Sequence, residues 1–278
     1  MLEIPEAITI SGQLDKTLKG RVVSKVIAAG SPHGFAFYFG DPALYPGMLE
    51  GKRIDRAYSC AGWVEIAAGD IRLGFNDGVN PRYYEEDAKL PAKHQLLIRF
   101  EDGGSLVCTV QMYGGIHVFP EGSMDSPYYL GAKEKPSPLS DEFDEAYFGS
   151  IVSAAAKNES VKALLATHQR IPGFGNGCLH DVLFNAGIHP KTKLSSVNDG
   201  EIEALYKSLK STLSEMTRLG GRDTEKDIFS NPGGYRTLLS SKTVAYPCPK
   251  CGGGITRKAY LGGNIYYCEN CQPEAVTV

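Results

Sequence analysis

The sequence predicts a mixed α+β chain in three parts: an N-terminal β-sandwich with a leading helix, a helical domain, and a small cysteine-bearing finger at the C-terminus. Three observations carry this. Short β-branched and aromatic runs bounded by Gly, Asp or Pro fill the first 130 residues or so. The apolar period then changes from that of strands to that of helices. Four of the seven cysteines fall in two CxxC pairs beyond residue 245. The divisions implied are 1–133, 134–244 and 245–278.

The elements follow in chain order. Pro5–Leu18 carries apolar residues at Ile8, Leu14 and Leu18 and reads as the leading helix. Arg21–Ala28, Trp63–Ala67, Ile71–Phe75, His94–Phe100 and Ser105–Val110 read as strands, the last two joined by the hairpin turn Glu101–Gly104. Ala132–Leu139, with two prolines, reads as a linker. Ser140 followed by Asp141 and Glu142 has the form of a helix N-cap with acids in the first turn. Helical periods follow at about 141–156, 159–167, 177–187 and 198–219, and Gly220-Gly221 stops the last. Residues 222–244 read as loop.

With 278 residues, 42% hydrophobic and 22% charged, the chain has the make-up of a globular protein with room for one large or two ordinary domains. No apolar run reaches the roughly 18 residues of a membrane span, and no basic segment precedes an apolar one at the N-terminus. A cytoplasmic, monomeric protein without a membrane partner is expected. A net charge of −3 argues against binding nucleic acid by overall field, so any such contact must come from local basic groups and backbone amides.

The C-terminal pattern is Cys248-Pro-Lys-Cys251, sixteen intervening residues, then Cys268-Glu-Asn-Cys271. Each pair puts two thiolates within reach of one tetrahedral ion, and four cysteines make a closed, structural zinc site. Arg257–Leu261 and Ile265–Tyr267 can form a hairpin with Gly262-Gly263-Asn264 at its tip. A hairpin this small has too little core to fold alone, so the metal supplies the folding energy. Cys60, Cys108 and Cys178 lack such partners and read as buried thiols.

The stretch Arg170–Pro190, RIPGFGNGCLHDVLFNAGIHP, breaks a helix at Pro172, Gly173, Gly175 and Gly177 and places Asn176 where the next helix begins. Such a loop is either an anion site, with helix N–H groups facing a ligand, or a plain helix–turn–helix corner capped by Asn. These residues, together with MLEIPEA at the N-terminus, PLSDEF at 138–143, Gly220-Gly221 and the finger ending CENCQ, resemble the bacterial formamidopyrimidine-DNA glycosylase and endonuclease VIII family of base-excision repair proteins. The matches run in the family's order along the whole chain. The resemblance implies a sandwich with a leading helix, a helix–two-turn–helix domain and a zinc finger, with damaged or abasic double-stranded DNA as partner.

It also implies roles. Asn176, flanked by Gly175 and Gly177, matches the asparagine that binds phosphates beside the lesion. The finger tip, Gly263 and Asn264, would lie on the DNA backbone, and Lys242 joins the DNA-contact set. Asn76, Gln111 and Tyr113 align with the side chains that fill the gap left by an extruded nucleotide. Tyr113 could equally pack on the sandwich.

The sequence also departs from the family pattern. The family's Pro nucleophile, placed directly after the initiator Met, is here Leu2, while the Glu that follows is retained as Glu3. Methionine is removed mainly before small residues, so the free amine is expected on Met1. The family's Lys on a sandwich hairpin is Gly62, and its finger Arg, five residues before the third cysteine, is Gly263. Charge-assisted phosphate contacts are the stronger ones, so these losses weaken lesion positioning. Two functions therefore stand side by side. One is a DNA glycosylase and abasic-site lyase of altered chemistry, with Glu3 and the amine of Met1 or Leu2 at its centre. The other is a protein that binds abasic or distorted DNA without cleaving it. Glu3 itself is either an acid–base group or an N-terminal carboxylate held in a salt bridge or helix cap.

Overall fold

The computed structural model describes residues 1–274; residues 275–278, the end of the segment read as the finger, lie outside the described residues. The chain forms two compact units. The first comprises Met1–Lys133 and Gly220–Gly234, the second Glu134–Leu219 and the described residues from Tyr235 onward. The segment after the Gly pair, read with the helical domain, instead returns to the first unit, and the finger is part of the second.

In the first unit, α1 (Ile4–Leu18) buries Ala7, Ile10, Leu14 and Leu18, a helical stripe that packs on the sheet. The strands are β1 (Val23–Ala28), β2 (Ala36–Tyr38), β3 (Arg56–Cys60), β4 (Trp63–Ala68), β5 (Ile71–Tyr84), β6 (Leu96–Phe100) and β7 (Ser105–Pro120), with a short helix α2 (Tyr45–Leu49) between β2 and β3. The order is β1-β6-β7-β5-β4-β3, with β2 parallel to the second half of β7.

The two long strands, β5 and β7, make the sandwich. Sequence reading ends them at Phe75 and Val110. Both strands continue. Residues 71–77 of β5 pair with 114–120 of β7, and 79–84 pair with 105–110, with a register shift at Asp77/Val79. Asp77 and Met112 take positive φ at the corner. Gly78 is required there, since a Cβ would lie 2.0 Å from the Gln111 carbonyl oxygen. The first halves of β5 and β7 thus serve different layers. Val64, Leu73 and Ile116 from one layer and Val26, Ile98 and Leu106 from the other share a single core with α1.

α3 (Pro127–Glu134) extends into the expected linker, and Pro136 and Pro138 follow its end. In the second unit the helices are α4 (Glu145–Ala154), α5 (Val161–Ala166), α6 (Asn176–Ala186) and α7 (Asp199–Arg218). The first cap is not Ser140 but Asp144, whose carboxylate accepts the Tyr147 N–H at 2.7 Å. Ser160 caps α5, and Asn198 with Glu201 forms a capping box on α7. α6 ends at Gly187 in the left-handed conformation and packs along α7. The finger strands are β8 (Thr256–Tyr260) and β9 (Gly263–Tyr267). Among the described residues no helix is long and apolar enough to cross a membrane.

Candidate functional site

In the first unit the N-terminus is held at a corner built by α1 and the returning segment. Glu3 occupies the N-cap position of α1 in an extended conformation, and Glu6 lies one turn further on; both are buried. Gly220 and Gly221, both at positive φ, turn the chain so that Arg222 enters between these acids, itself only 2% exposed. Its guanidinium grips Glu6 with Nε to Oε1 at 3.0 Å and Nη2 to Oε2 at 2.7 Å, and its backbone N–H also donates to Glu6 at 3.0 Å. A weaker contact reaches Glu3 at 3.5 Å, and Nη2 donates to the Met1 carbonyl at 3.4 Å. Buried acids are tolerated here because one fork-shaped cation satisfies several acceptors.

The Met1 ammonium group ion-pairs with Glu225. Leu2 is not at the surface. Its side chain joins the sandwich core, and its N–H donates to the Asp77 carbonyl at 2.6 Å. Position 2 is thus spent on packing. The Asp77 carboxyl is raised above the usual range by burial, against the Tyr128 hydroxyl at 3.2 Å and the terminal amine, which pull it down. The Tyr113 phenol is raised by burial and by the nearby carboxylates of Asp77 and Glu3.

The three residues aligned as gap-fillers are not equivalent. Gln111 and Tyr113 are exposed at the corner of β7, with Met112 between them 72% exposed. Asn76 is buried and its side-chain oxygen accepts the Gly115 N–H at 2.8 Å, so it is committed to the sheet and does not project as a wedge. Gly62 sits in the two-residue turn between β3 and β4, where Cys60 pairs with Trp63.

In the second unit Asn176 is the first residue of α6, with Gly175 at the N-cap and no side-chain cap. Its Oδ1 is buried without a hydrogen-bond partner among the described residues. The hairpin turn of the finger is Leu261-Gly262, both at positive φ, as a two-residue turn of type I′ demands. Gly263 and Asn264, read from sequence as the tip, are therefore the first residues of β9. A Cβ at Gly263 would come within 3.0 Å of Asn176 Nδ2, so the glycine lets finger and loop approach each other. Lys162 is buried beneath them and donates to the Tyr260 carbonyl. Lys242 is exposed, and Arg257 and Lys258 are exposed on β8.

Cys248, Cys251, Cys268 and Cys271 place their sulfurs within 4.8 Å of one another. The Cys248–Cys271 and Cys251–Cys268 separations are 3.8 and 3.5 Å. A tetrahedral ion with metal–sulfur bonds of about 2.3 Å needs sulfurs about 3.8 Å apart, so this donor set fits one metal ion. Cys248 and Cys268 also pack with Phe184 of α6. Gln272 accepts the Cys268 N–H at 3.1 Å and donates to the Ile188 carbonyl at 2.9 Å, which ties the finger to the end of α6.

Sequence reasoning missed Glu6, Arg222 and Glu225. The available signals were Glu3 and Glu6 one turn apart on an otherwise apolar helix face, and an arginine directly after a Gly pair. Neither says that residues 216 positions apart would meet.

Residues 135–227 match the family model described as the formamidopyrimidine-DNA glycosylase H2TH domain. The chain is similar to the formamidopyrimidine-DNA glycosylase of Cytobacillus firmus, with 27% identity over 98% of this chain and 100% of that protein. It is 29% identical to that of Bacillus licheniformis, covering 98% and 99% of the two chains. Among solved structures, MutM (Fpg) of Thermus thermophilus superposes with a TM-score of 0.81 at 23% identity, over 98% of this chain and 99% of that one. The Lactococcus lactis Fpg in complex with DNA containing an abasic site gives 0.83 at 23%, over 98% and 100%. These likenesses establish the fold: sheet unit, helical H2TH domain and C-terminal cysteine cluster.

Proposed function

We propose, from the chain's membership of the formamidopyrimidine-DNA glycosylase and endonuclease VIII family, that it is a DNA-repair protein that binds damaged or abasic double-stranded DNA and acts on it through an altered active site. The Lactococcus relative in complex with abasic DNA supports the choice of partner. The observation that carries the altered chemistry is the corner where Arg222 contacts both Glu3 and the Met1 carbonyl, the Met1 amine pairs with Glu225, and Leu2 is buried in the core.

In this reading the Met1 α-amine, once deprotonated, attacks C1′ of the damaged nucleotide. The C1′–base bond breaks, and the leaving base takes a proton. Glu3 serves as the acid–base group. The aminal left at C1′ opens by breaking its C1′–O4′ bond, with O4′ taking a proton, whereas at an abasic aldehyde the carbinolamine loses water; both give a Schiff base, from which strand cleavage proceeds by proton removal and elimination. Arg222 is a positioning residue that fixes the carboxylates and the Met1 carbonyl. The loop at Asn176 and the exposed Arg257 and Lys258 of the finger supply phosphate contacts that are blind to sequence. The metal fitting the four cysteines is one structural zinc ion.

The ion pair between the Met1 ammonium group and Glu225 favours a second reading, in which the amine stays held in that pair and the protein binds lesions without cutting. The test is Glu3→Gln on an abasic duplex and a duplex bearing an oxidised base. Base release and strand cleavage are expected to slow by at least about 10²-fold, with binding retained. Absence of both activities in the unaltered protein, with tight lesion binding, would replace the first reading by the second.

A further inference from the structure

The first residue of a chain has a freedom that interior residues lack. Even with its peptide plane held, rotation about its Cα–C bond swings the α-amine through an arc, because no preceding residue ties that nitrogen down. In this chain the plane between Met1 and Leu2 is held on both edges. The Leu2 N–H donates to the Asp77 carbonyl at 2.6 Å, and Arg222 Nη2 donates to the Met1 carbonyl at 3.4 Å. The amine beyond that plane needs a contact of its own, and Glu225 supplies it. The other acids of the corner have different partners: Arg222 engages Glu3 and Glu6, and Asp77 accepts the Tyr128 hydroxyl.

Glu225 is delivered by a built element. It belongs to the segment that returns after the Gly220-Gly221 turn, the same segment that brings in Arg222. Its N–H donates to the Arg222 carbonyl at 3.0 Å, and its carbonyl accepts the Gly233 N–H at 3.2 Å. Gly233 is needed where the segment closes on itself, since a Cβ there would fall 2.3 Å from the Gly221 carbonyl oxygen. Three residues beyond Glu225, Ile228 is fully buried in the sheet core. Its carbonyl accepts the Tyr83 N–H at 2.8 Å and its N–H donates to Gln13 at 3.2 Å, so the segment is pinned to β5 and α1.

Magnitudes decide what such a contact does. The pair is partly exposed, at 35% and 24%, and pairs of this kind hold a group by about fivefold or less. A hold that weak does not withhold the amine from a substrate. Correct placement of a nucleophile is worth more, about 10²-fold for a displacement of 1 Å.

We propose that Glu225 is a positioning residue that fixes the Met1 α-amine at the corner, doing with an ion pair what a ring does for a terminal proline. The inference rests on the reading of Met1 as the nucleophile.

The test compares the full chain with Glu225→Ala and Glu225→Gln at one pH and salt concentration, by two readouts. The first needs no DNA: reductive methylation of the Met1 amine by formaldehyde and cyanoborohydride, measured by mass spectrometry of the N-terminal peptide against surface lysines. The second is the rate at which borohydride traps an adduct with an abasic duplex. In Glu225→Ala, methylation of Met1 is expected to rise, by up to about fivefold, because a released amine meets a diffusing aldehyde more readily. Adduct formation is expected to fall at least about tenfold, because the same amine is no longer placed. Glu225→Gln keeps an oxygen that accepts from the amine and is expected to lie between parent and alanine variant in both readouts. A merely structural role would not move the two readouts in opposite directions. Adduct rates equal to the parent's, or raised in both variants as release of a lock would raise them, overturn the proposal, as does methylation that ignores both substitutions. No adduct from the parent, with methylation still responding to Glu225, defeats the reading of Met1 as nucleophile while the hold on the amine stands.

Discussion

The cysteine finger and the N-terminal corner handle buried chemistry in opposite ways. In the finger, four cysteine sulfurs lie within 4.8 Å of one another, a donor set that fits one metal ion. In the corner, Glu3 and Glu6 are equally buried, but Arg222 fills the space between them and grips Glu6 with two nitrogens. The finger offers four donors that a metal ion could join, whereas the corner's acids are already matched by an arginine of the chain itself. The first arrangement couples folding to metal. The second holds the Met1 carbonyl through Arg222, while the Met1 amine pairs with Glu225.

The comparison can be broken by removing one member from each region. Cys268→Ser should abolish stoichiometric zinc and unfold the finger, since structural zinc contributes apparent binding free energies of about 10–16 kcal/mol in such small modules. Metal analysis showing one zinc per chain in that variant would contradict the assignment. Arg222→Met should leave two carboxylates buried without their cation, at a cost of about 3–5 kcal/mol read by denaturant unfolding. A variant as stable as the parent would mean that the corner does not depend on its arginine.

A smaller effect sharpens the comparison by pH. His117 titrates in the fold at about 4, below its ordinary value of 6.5, because burial disfavours its charged form. The unfolded chain takes up this proton first. Stability from His117 is thus fully present above pH 6.5 and is lost as pH falls towards 4, by roughly 3 kcal/mol in all. Asp77, raised by burial, works in the other direction over its own range, gaining stability as it protonates. The difference between the stability–pH profiles of the parent and His117→Phe isolates the histidine. Parallel profiles would show that His117 does not titrate in this window.

The two regions also differ in how far the sequence reveals them. The finger is local: its ligands come in pairs three residues apart, so spacing alone identifies it. The leading helix and α5 to α7 are equally legible, since apolar period and caps are local signals. The corner joins α1 to a segment more than 200 residues later, and no spacing rule reports that. The course of β5 and β7 is hidden for a different reason. Asn76-Asp77-Gly78 has the composition of a turn, but pairing across the sheet turns it into a bulge. Asn76 looks available as a wedge until its hydrogen bond to Gly115 N accounts for it. The tip of the finger shifts because Leu261, a residue that local preference keeps out of positive φ, takes that conformation beside Gly262.

The central claim is that the Met1 amine at the corner is the reacting group. Borohydride reduction of the full-length protein with an abasic duplex tests it, followed by peptide mapping of any adduct and of the intact protein's N-terminus. The account predicts one covalent protein–DNA adduct, carried by the N-terminal peptide at Met1. An adduct on an internal lysine such as Lys242, or tight binding with no adduct at all, would contradict it.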